Sequence, residues 1–267
     1  MKPKKKNMEL VVGASAHYED PSFYTYTYRE RLTDVAFYVD VANDVGGPVL
    51  EYGAGNGRIT LPVARHGHPI TAIDLSKPML DDLRARVRRE PQDVRDRVLV
   101  KRGDMRSLKL TQAQGGRARL VLCPFNTALH LYTRVDVERF LARVHAHMAP
   151  GATFVMDLSM PLARDLARDP RKACGCPPFR HPTKGRVSYR EYFDYEPQNQ
   201  TLFITAVMKP QRGPEFSVPL AQRQFYPLEW EALLHYNGFR VTELYGEFDK
   251  TPLVRDSDTM IWIAKKR

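Results

Sequence analysis

The sequence has 267 residues, of which 43% are hydrophobic and 27% charged, and its 41 Lys and Arg against 31 Asp and Glu give a formal net charge of +10. This composition excludes a chain that is disordered throughout, because it supplies enough apolar surface for a core. The longest apolar runs, such as residues 120–123, are far shorter than the ~20 residues that cross a membrane. Three cysteines are too few for a disulfide framework, and no apolar segment follows the N-terminal lysines as in a secretory signal, so the chain is expected to be cytoplasmic.

The N-terminal part of the chain is basic and then rich in tyrosine. Residues 1–16 predict a disordered basic tail. From residue 28 to residue 45 the apolar spacing predicts an amphipathic helix, which Gly46, Gly47 and Pro48 end. Because the arginines are scattered along the chain, we attribute most of the positive charge to solubility.

Strands and helices alternate through the middle of the chain. Strands are predicted at residues 48–52, 69–74, 97–101, 118–125 and 152–158, and helices at residues 59–66, 77–89 and 135–148. This alternation predicts a parallel sheet with helices on both faces.

The pattern changes after residue 159. The sequence predicts a loop with one short helical piece at residues 161–184, followed by a hairpin of strands at 186–195 and 201–209 and a third strand at 216–226. A helix at 227–238 and two last strands at 240–245 and 259–265 complete the chain. We therefore predict an α/β fold with a seven-stranded, doubly wound, Rossmann-like sheet. Residues 161–226 are expected to form an antiparallel insert that covers the carboxyl edge of this sheet.

A glycine-rich turn, residues 51–58, follows the first predicted strand and opens a helix. Glycines let the backbone turn sharply and approach a ligand beside helix N–H groups. A dinucleotide site of the G-x-G-x-x-G type needs glycine where this chain has Arg58. Glu51 suits the ammonium of an amino-acid moiety better than a pyrophosphate, so the turn favours a ligand other than a dinucleotide.

Two further carboxylates follow the next two strands. Asp74 lies about 20 residues beyond the turn, where a carboxylate can accept both hydroxyls of a ribose. Asp104 can accept from an adenine amino group, with Met105 packed on the ring. The spacing of Asp74 serves NAD as well, so these residues indicate an adenosine ligand without choosing the cofactor.

Taken together, these motifs resemble the class I S-adenosylmethionine-dependent methyltransferases. Residues 49–58 resemble their first motif, 71–80 the ribose segment, 103–105 the adenine segment and 120–126 the fourth-strand motif, while Pro150-Gly151 resembles the turn before the fifth strand. One departure is Tyr52, where the family has an aliphatic residue. The layout is similar to the small-molecule branch that includes glycine and amino-sugar N-methyltransferases.

This resemblance implies the domains, the cofactor and its contacts. Residues 17–160 and 227–267 are expected to form the cofactor-binding core with an N-terminal helical lid, and residues 161–226 to cover the acceptor site. S-adenosylmethionine is the expected cofactor and S-adenosylhomocysteine the product. The expected cofactor contacts are Tyr24, Tyr28, Glu51, Gly53, Ala54, Gly55, Gly57, Arg58, Asp74, Leu75, Met79, Gly103, Asp104, Met105, Cys123 and Asn126.

The implied reaction is in-line attack on the methyl group of a sulfonium by a nitrogen or oxygen atom. Its leaving group departs neutral, so neither an acid nor a metal is required, and positioning in a dry pocket supplies much of the acceleration. His130 is the candidate base, needed only for a protonated acceptor. The candidate acceptor contacts are Asn126, His130, Tyr189 and Tyr192. The alternative is a cofactor contact for Asn126 and a packing role for the other three.

Other functions stay open at this point. A methyltransferase acting on nucleic acid or protein fits the charge of +10, whereas Arg58 disfavours an NAD-dependent oxidoreductase. A binding module without activity is a further alternative. Cys174 and Cys176 lack a matching pair of ligands for zinc. The expected partner is a small-molecule acceptor rather than nucleic acid or a membrane, and the insert edge offers a surface for a homodimer.

Overall fold

The computed structural model describes residues 3–267, with side chains from Met8 onward. Its chain divides into two compact units. The core unit is Arg31–Met160 with Tyr226–Arg267, and the insert unit is the chain as far as Glu30 with Pro161–Phe225. None of the helices in the described part of the chain combines the length and the apolar composition that a membrane span requires.

Helices and strands follow one another along the whole chain. The helices are α1 (Pro3–Ser15), α2 (Pro21–Tyr28), α3 (Thr33–Val45), α4 (Thr60–Arg65), α5 (Lys77–Val87), α6 (Gln92–Arg97), α7 (Arg134–His147), α8 (Ala163–Leu166) and α9 (Pro227–Tyr236). The strands are β1 (Val49–Tyr52), β2 (Ile70–Asp74), β3 (Val98–Arg102), β4 (Ala118–Cys123), β5 (Met148–Ser159), β6 (Cys174–His181), β7 (Gly185–Glu196), β8 (Thr201–Pro210), β9 (Phe216–Arg223), β10 (Phe239–Tyr245) and β11 (Thr259–Lys266).

A seven-stranded sheet forms the centre of the core unit, which confirms the predicted fold class. Its order is β10-β11-β5-β4-β1-β2-β3. Strands β1 to β5 pair in parallel, whereas β11 runs antiparallel to both of its neighbours. Every residue of β1 is buried, as expected for a central strand covered on both faces. The chain order reverses direction between β1 and β4, where ligands dock in open α/β sheets.

The insert unit contains an antiparallel sheet of order β6-β7-β8-β9. Helix α1 packs closely on β9, because a Cβ added at Gly13 would lie 2.7 Å from the Cβ of Ala221. The structure therefore differs from the disordered tail predicted for residues 1–16, although residues 1 and 2 of that tail lie outside the described residues. Residues 17–30 also fall in this unit, whereas the sequence places them with the core.

Two elements differ from the sequence prediction for identifiable reasons. The edge strand β6 lies in the predicted loop, and its pairing with β7 shifts register between Cys176 and Phe179, where two prolines interrupt the strand. The helix predicted at residues 28–45 is α3, which begins only at Thr33, and Tyr28 is the last residue of the separate helix α2. α2 begins after Asp20, whose carboxylate accepts from the N–H groups of Ser22 and Phe23 at 3.0 and 2.9 Å, and the chain breaks before α3.

Candidate active site

The glycine-rich turn after β1 lies where the structure tolerates no side chain at Gly53. This residue has a φ of +70°, and an added Cβ would overlap the Oγ1 of Thr127, which follows β4. Gly55 and Gly57 also have positive φ values. Glycine at position 53 therefore lets the turn lie against the segment after β4.

Asp74 connects the glycine turn to the end of β2. One of its carboxylate oxygens accepts from the N–H of Gly55 at 2.8 Å, and the other accepts from the N–H of Ser76 at 2.7 Å. The backbone N–H of Gly103, at the end of β3, donates to the carbonyl oxygen of Asp74 at 3.0 Å. Burial raises the pKa of the Asp74 carboxyl, and these backbone donors limit the rise. The predicted ribose and adenine segments therefore meet at one edge of the sheet.

Glu51 is buried at the end of β1. Its carboxyl accepts from the hydroxyl of Thr60 at 2.5 Å. Burial raises the pKa of Glu51 to about 8, while the Thr60 hydrogen bond and the charge of Arg58 act in the opposite direction. A cationic group placed beside Glu51 would favour its ionised form.

Asp104 is held by an arginine that the sequence analysis does not single out. The guanidinium of Arg106 donates to both carboxylate oxygens of Asp104, at 2.6 to 3.1 Å, and to Asp136 at 2.8 Å. Arg106 lowers the pKa of Asp104 below its usual range. This carboxylate is therefore ionised and held in place. Its hydrogen bond to the adenine amino group stays a prediction. Among the neighbouring apolar residues, Leu75 is 59% exposed and Met79 is buried.

Two consecutive residues after β4, Phe125 and Asn126, adopt left-handed backbone conformations, with φ values of 54° and 63°. The carboxylate of Asp157 supports this corner, because it accepts from the N–H of Phe125 at 2.7 Å and from the hydroxyl of Tyr38 at 2.5 Å. The side-chain amide of Asn126 exchanges two hydrogen bonds with Ser159. Strain in such a corner persists only where its surroundings fix it, and it is common at functional sites.

Arg58 lies beside the same corner. Its guanidinium forms two hydrogen bonds to the buried carboxylate of Asp34, at 2.7 and 2.6 Å. The guanidiniums of Arg58 and Arg31 lie 4.7 and 4.8 Å from the ring centre of Phe125. Arg58 therefore fixes α3 and Phe125, and its predicted cofactor contact stays a prediction.

His130 ends the short helical turn Thr127–His130, which follows β4. Its Nδ1 lies 3.4 Å from the hydroxyl of Tyr132, and the side chain is partly exposed. Cys123 is buried at the end of β4, and burial raises the pKa of its thiol. This thiol therefore stays protonated at neutral pH.

The four predicted tyrosines belong to the insert unit. This unit encloses a cavity of about 380 Å³ whose lining includes Tyr28 and Tyr189. Tyr24 is buried against Tyr28, with the ring centres 4.8 Å apart. Tyr192 belongs to the opposite face of β7 from Tyr189, because successive strand residues alternate. The structure thus brings Tyr28 and Tyr189 together at one cavity and leaves Tyr192 outside its lining.

The chain matches one protein family in sequence and several known proteins in structure. Residues 49–151 match the family described as a methyltransferase domain. The chain is similar in structure to the CcbJ methyltransferase from Streptomyces caelestis, at 22% identity and a TM-score of 0.76, over 88% of this chain and 96% of that one. A search of the curated proteins found no match.

Two further solved structures are similar to this chain. One is CalS10 with bound S-adenosylmethionine, an amino pentose methyltransferase from Micromonospora echinaspora, at 21% identity and a TM-score of 0.67, over 91% of this chain and 96% of that one. The other is the glycopeptide N-methyltransferase MtfA complexed with S-adenosylhomocysteine, at 26% identity and a TM-score of 0.61, over 87% of each chain.

The core unit thus contains a methyltransferase domain, and the protein is an enzyme of the methyltransferase class. Its fold is that of the S-adenosylmethionine-dependent enzymes, which confirms the predicted resemblance. The domain match favours a methyltransferase over an NAD-dependent oxidoreductase.

Proposed function

We propose that the protein transfers a methyl group from S-adenosylmethionine to a nitrogen or oxygen atom of a small molecule. The observation that carries the proposal is a pair of carboxyl groups, the buried Glu51 and the half-buried Asp74, at the ends of adjacent parallel strands on either side of the glycine turn. This pair lies inside the methyltransferase domain.

The chemistry of these groups fits the cofactor. A carboxylate offers about four lone-pair sites, and the two backbone N–H groups on Asp74 leave capacity for the hydroxyls of a ribose. Glu51 provides a carboxylate for the ammonium of the methionine moiety, and the exposed Leu75 offers an apolar surface beside Asp74. We propose the remaining predicted contacts, from Gly53 to Asn126, on the same basis.

When bound, S-adenosylmethionine supplies an electrophilic methyl group on a sulfonium that leaves as a neutral thioether. The chain's own contribution is then to orient the acceptor and to exclude water. The rigid corner at Phe125 and Asn126 gives the acceptor side of the site a fixed shape. His130, four residues further along, takes a proton from an acceptor that arrives protonated.

The role of His130 predicts a particular kinetic result. His130→Gln should lower kcat about 100-fold or more with a protonated amine acceptor, because general acid–base catalysis typically contributes about 10²- to 10⁴-fold. Its affinity for S-adenosylmethionine should stay within about twofold of the wild type. A loss of cofactor affinity without a loss of kcat would make His130 a binding residue instead.

A small acceptor agrees with two observations. The amino pentose enzyme and the glycopeptide enzyme act on the compounds that their names state, and neither is a nucleic acid. The cavity of the insert unit, at about 380 Å³, lies in the size range of small-molecule sites.

Calorimetric titration tests the proposal first. S-adenosylmethionine and S-adenosylhomocysteine should bind at micromolar concentrations, and NAD, the matched control, should not bind. The protein with S-adenosylmethionine is then incubated with amines, amino sugars, phenols and alcohols, and the products are analysed by mass spectrometry for one added methyl group. Absence of binding by both adenosyl ligands to the folded protein would refute the proposal.

A further inference from the structure

The cavity of the insert unit has mostly apolar walls and one distinctive polar wall. The apolar part comes from β8 and β9, including Ile204, Met208 and Leu220. The polar wall comes from β6 and β7, where Glu191 and Cys176 line the same space. A mostly apolar pocket with a few convergent polar groups is the usual form of a small-molecule site.

Glu191 carries a negative charge into this cavity. Its carboxylate accepts a short hydrogen bond from the hydroxyl of Tyr189, and the Cys176 thiol lies 3.9 Å from its other oxygen. Both of these partners are neutral groups, since burial raises the pKa of Tyr189 and of Cys176. Within the described residues, no arginine, lysine or histidine forms an ion pair with Glu191.

The basic residues that line the cavity do not balance this charge. Arg29 forms an ion pair with Glu30 at 3.1 Å, donates to the carbonyl oxygen of Tyr26 at 2.6 Å, and stacks on the Tyr26 ring. His17 lies 3.1 Å from the hydroxyl of Tyr28, and burial lowers its pKa to about 4, so it is neutral at pH 7. The cavity therefore presents aromatic rings and one uncompensated carboxylate.

We propose that this cavity binds a protonated amine carried on an apolar or aromatic body, with Glu191 as its counter-ion. The ring of Tyr189 lies beside the same carboxylate and attracts a cation through its face. The apolar body packs on the β8 and β9 side chains.

The test uses the full-length protein without S-adenosylmethionine. The probes are 2-phenylethylamine, which is cationic at neutral pH, and 2-phenylethanol, its neutral counterpart. We expect calorimetry to show about tenfold tighter binding of the amine, because a hydrogen bond to a charged group is stronger than one between neutral groups. Glu191→Gln should remove this preference and leave alcohol binding unchanged.

Two controls make the result specific to the cavity. Glu215→Gln changes a carboxylate of the same unit that pairs with Arg190 at the surface, and it should keep the preference for the amine. In a Cys174→Ser background, the amine should slow the reaction of Cys176 with N-ethylmaleimide at least about threefold, and this readout requires no change at Glu191. All three cysteines are free, and Cys123 is buried.

Several results would overturn the proposal. These are equal affinity for amine and alcohol, amine binding that Glu191→Gln does not weaken, no amine binding at millimolar concentration, and no protection of Cys176. Titration of the same preparation with S-adenosylmethionine separates this proposal from the proposed function. Loss of cofactor binding with intact amine binding would overturn the proposed function and leave the amine site in place.

Discussion

The side chain of Asp74 is held in one orientation, because two backbone N–H groups donate to its carboxylate. Asp74→Asn should weaken binding of S-adenosylmethionine by about 1–3 kcal/mol, since the ribose loses a charge-assisted acceptor. Calorimetry measures this change. Asp81→Asn is the control, because Asp81 lies exposed on α5 and pairs with Lys77. Equal affinities of the Asp74 variant and the wild type would contradict the ribose assignment.

The buried carboxyl of Glu51 makes stability depend on pH. Its pKa is about 8 in the folded protein, against an ordinary value of 4.5, so the unfolded chain releases this proton at lower pH than the folded one does. The free energy of unfolding should therefore fall between pH 4.5 and pH 8, by up to about 1.4 kcal/mol per pH unit from this group. The contribution is complete below pH 4.5 and absent above pH 8.

Replacement of Glu51 tests this dependence. Glu51→Gln keeps the size of the side chain and removes the titrating group, so its stability relative to the wild type should rise steadily from pH 5 to pH 8. Urea unfolding across this range measures the difference. Glu90→Gln, which changes an ion-paired carboxylate at the surface, provides the control and should show no such rise. A constant difference between the Glu51 variant and the wild type would show that Glu51 ionises normally.

At the scale of elements, the contact between the glycine turn and the segment after β4 predicts a steric effect. Gly53→Ala should destabilise the protein more than Gly67→Ala, by about 1–3 kcal/mol. Both glycines have a positive φ, so both substitutions carry a backbone cost. Only Gly53 faces another element, because a Cβ at Gly67 would meet nothing within 4 Å. Chemical unfolding compares the two variants, and equal losses would leave backbone strain as the whole cost.

The core elements follow directly from local sequence signals. The apolar run of β4, the glycine turn after β1 and the Pro227 start of α9 are each explicit in the chain. The insert is less readable. The prolines within β6 make that segment look like a loop in the sequence, although it pairs with β7 as a strand. The basic residues of α1 look like a disordered tail, although the helix packs on β9 at Gly13. The start of α2 had a readable signal in Asp20 and Pro21, a helix N-cap followed by proline.

The candidate site likewise has residues that the sequence predicts and residues that it does not. Glu51 and Asp74 could be predicted because they lie at or next to the ends of adjacent strands. Their partners could not, since Thr60, Arg106 and Asp157 become neighbours only through folding. Arginine and aspartate are common in this sequence, so neither residue type marks a site on its own.

At the scale of the whole molecule, the two units carry different proposed ligands. Saturating S-adenosylmethionine should slow amide hydrogen exchange in β1, β2 and β4 of the core unit. Saturating 2-phenylethylamine should slow it in β7 and β8 of the insert unit. Hydrogen exchange with mass spectrometry measures both effects on one sample. Protection by the amine confined to the core strands would contradict the assignment of the cavity.

The contact between α1 and β9 also constrains the order in which the chain can fold. Gly13 and Ala221 are more than 200 residues apart in sequence, yet they touch in the insert unit. During synthesis on the ribosome, α1 therefore cannot pack on β9 until that strand has been made. The core sheet is not complete at that stage either, because β10 and β11 come last. A chain truncated after residue 225 therefore contains the whole insert unit but lacks β10 and β11 of the core sheet, so we expect chaperones to retain it because its core unit is incomplete.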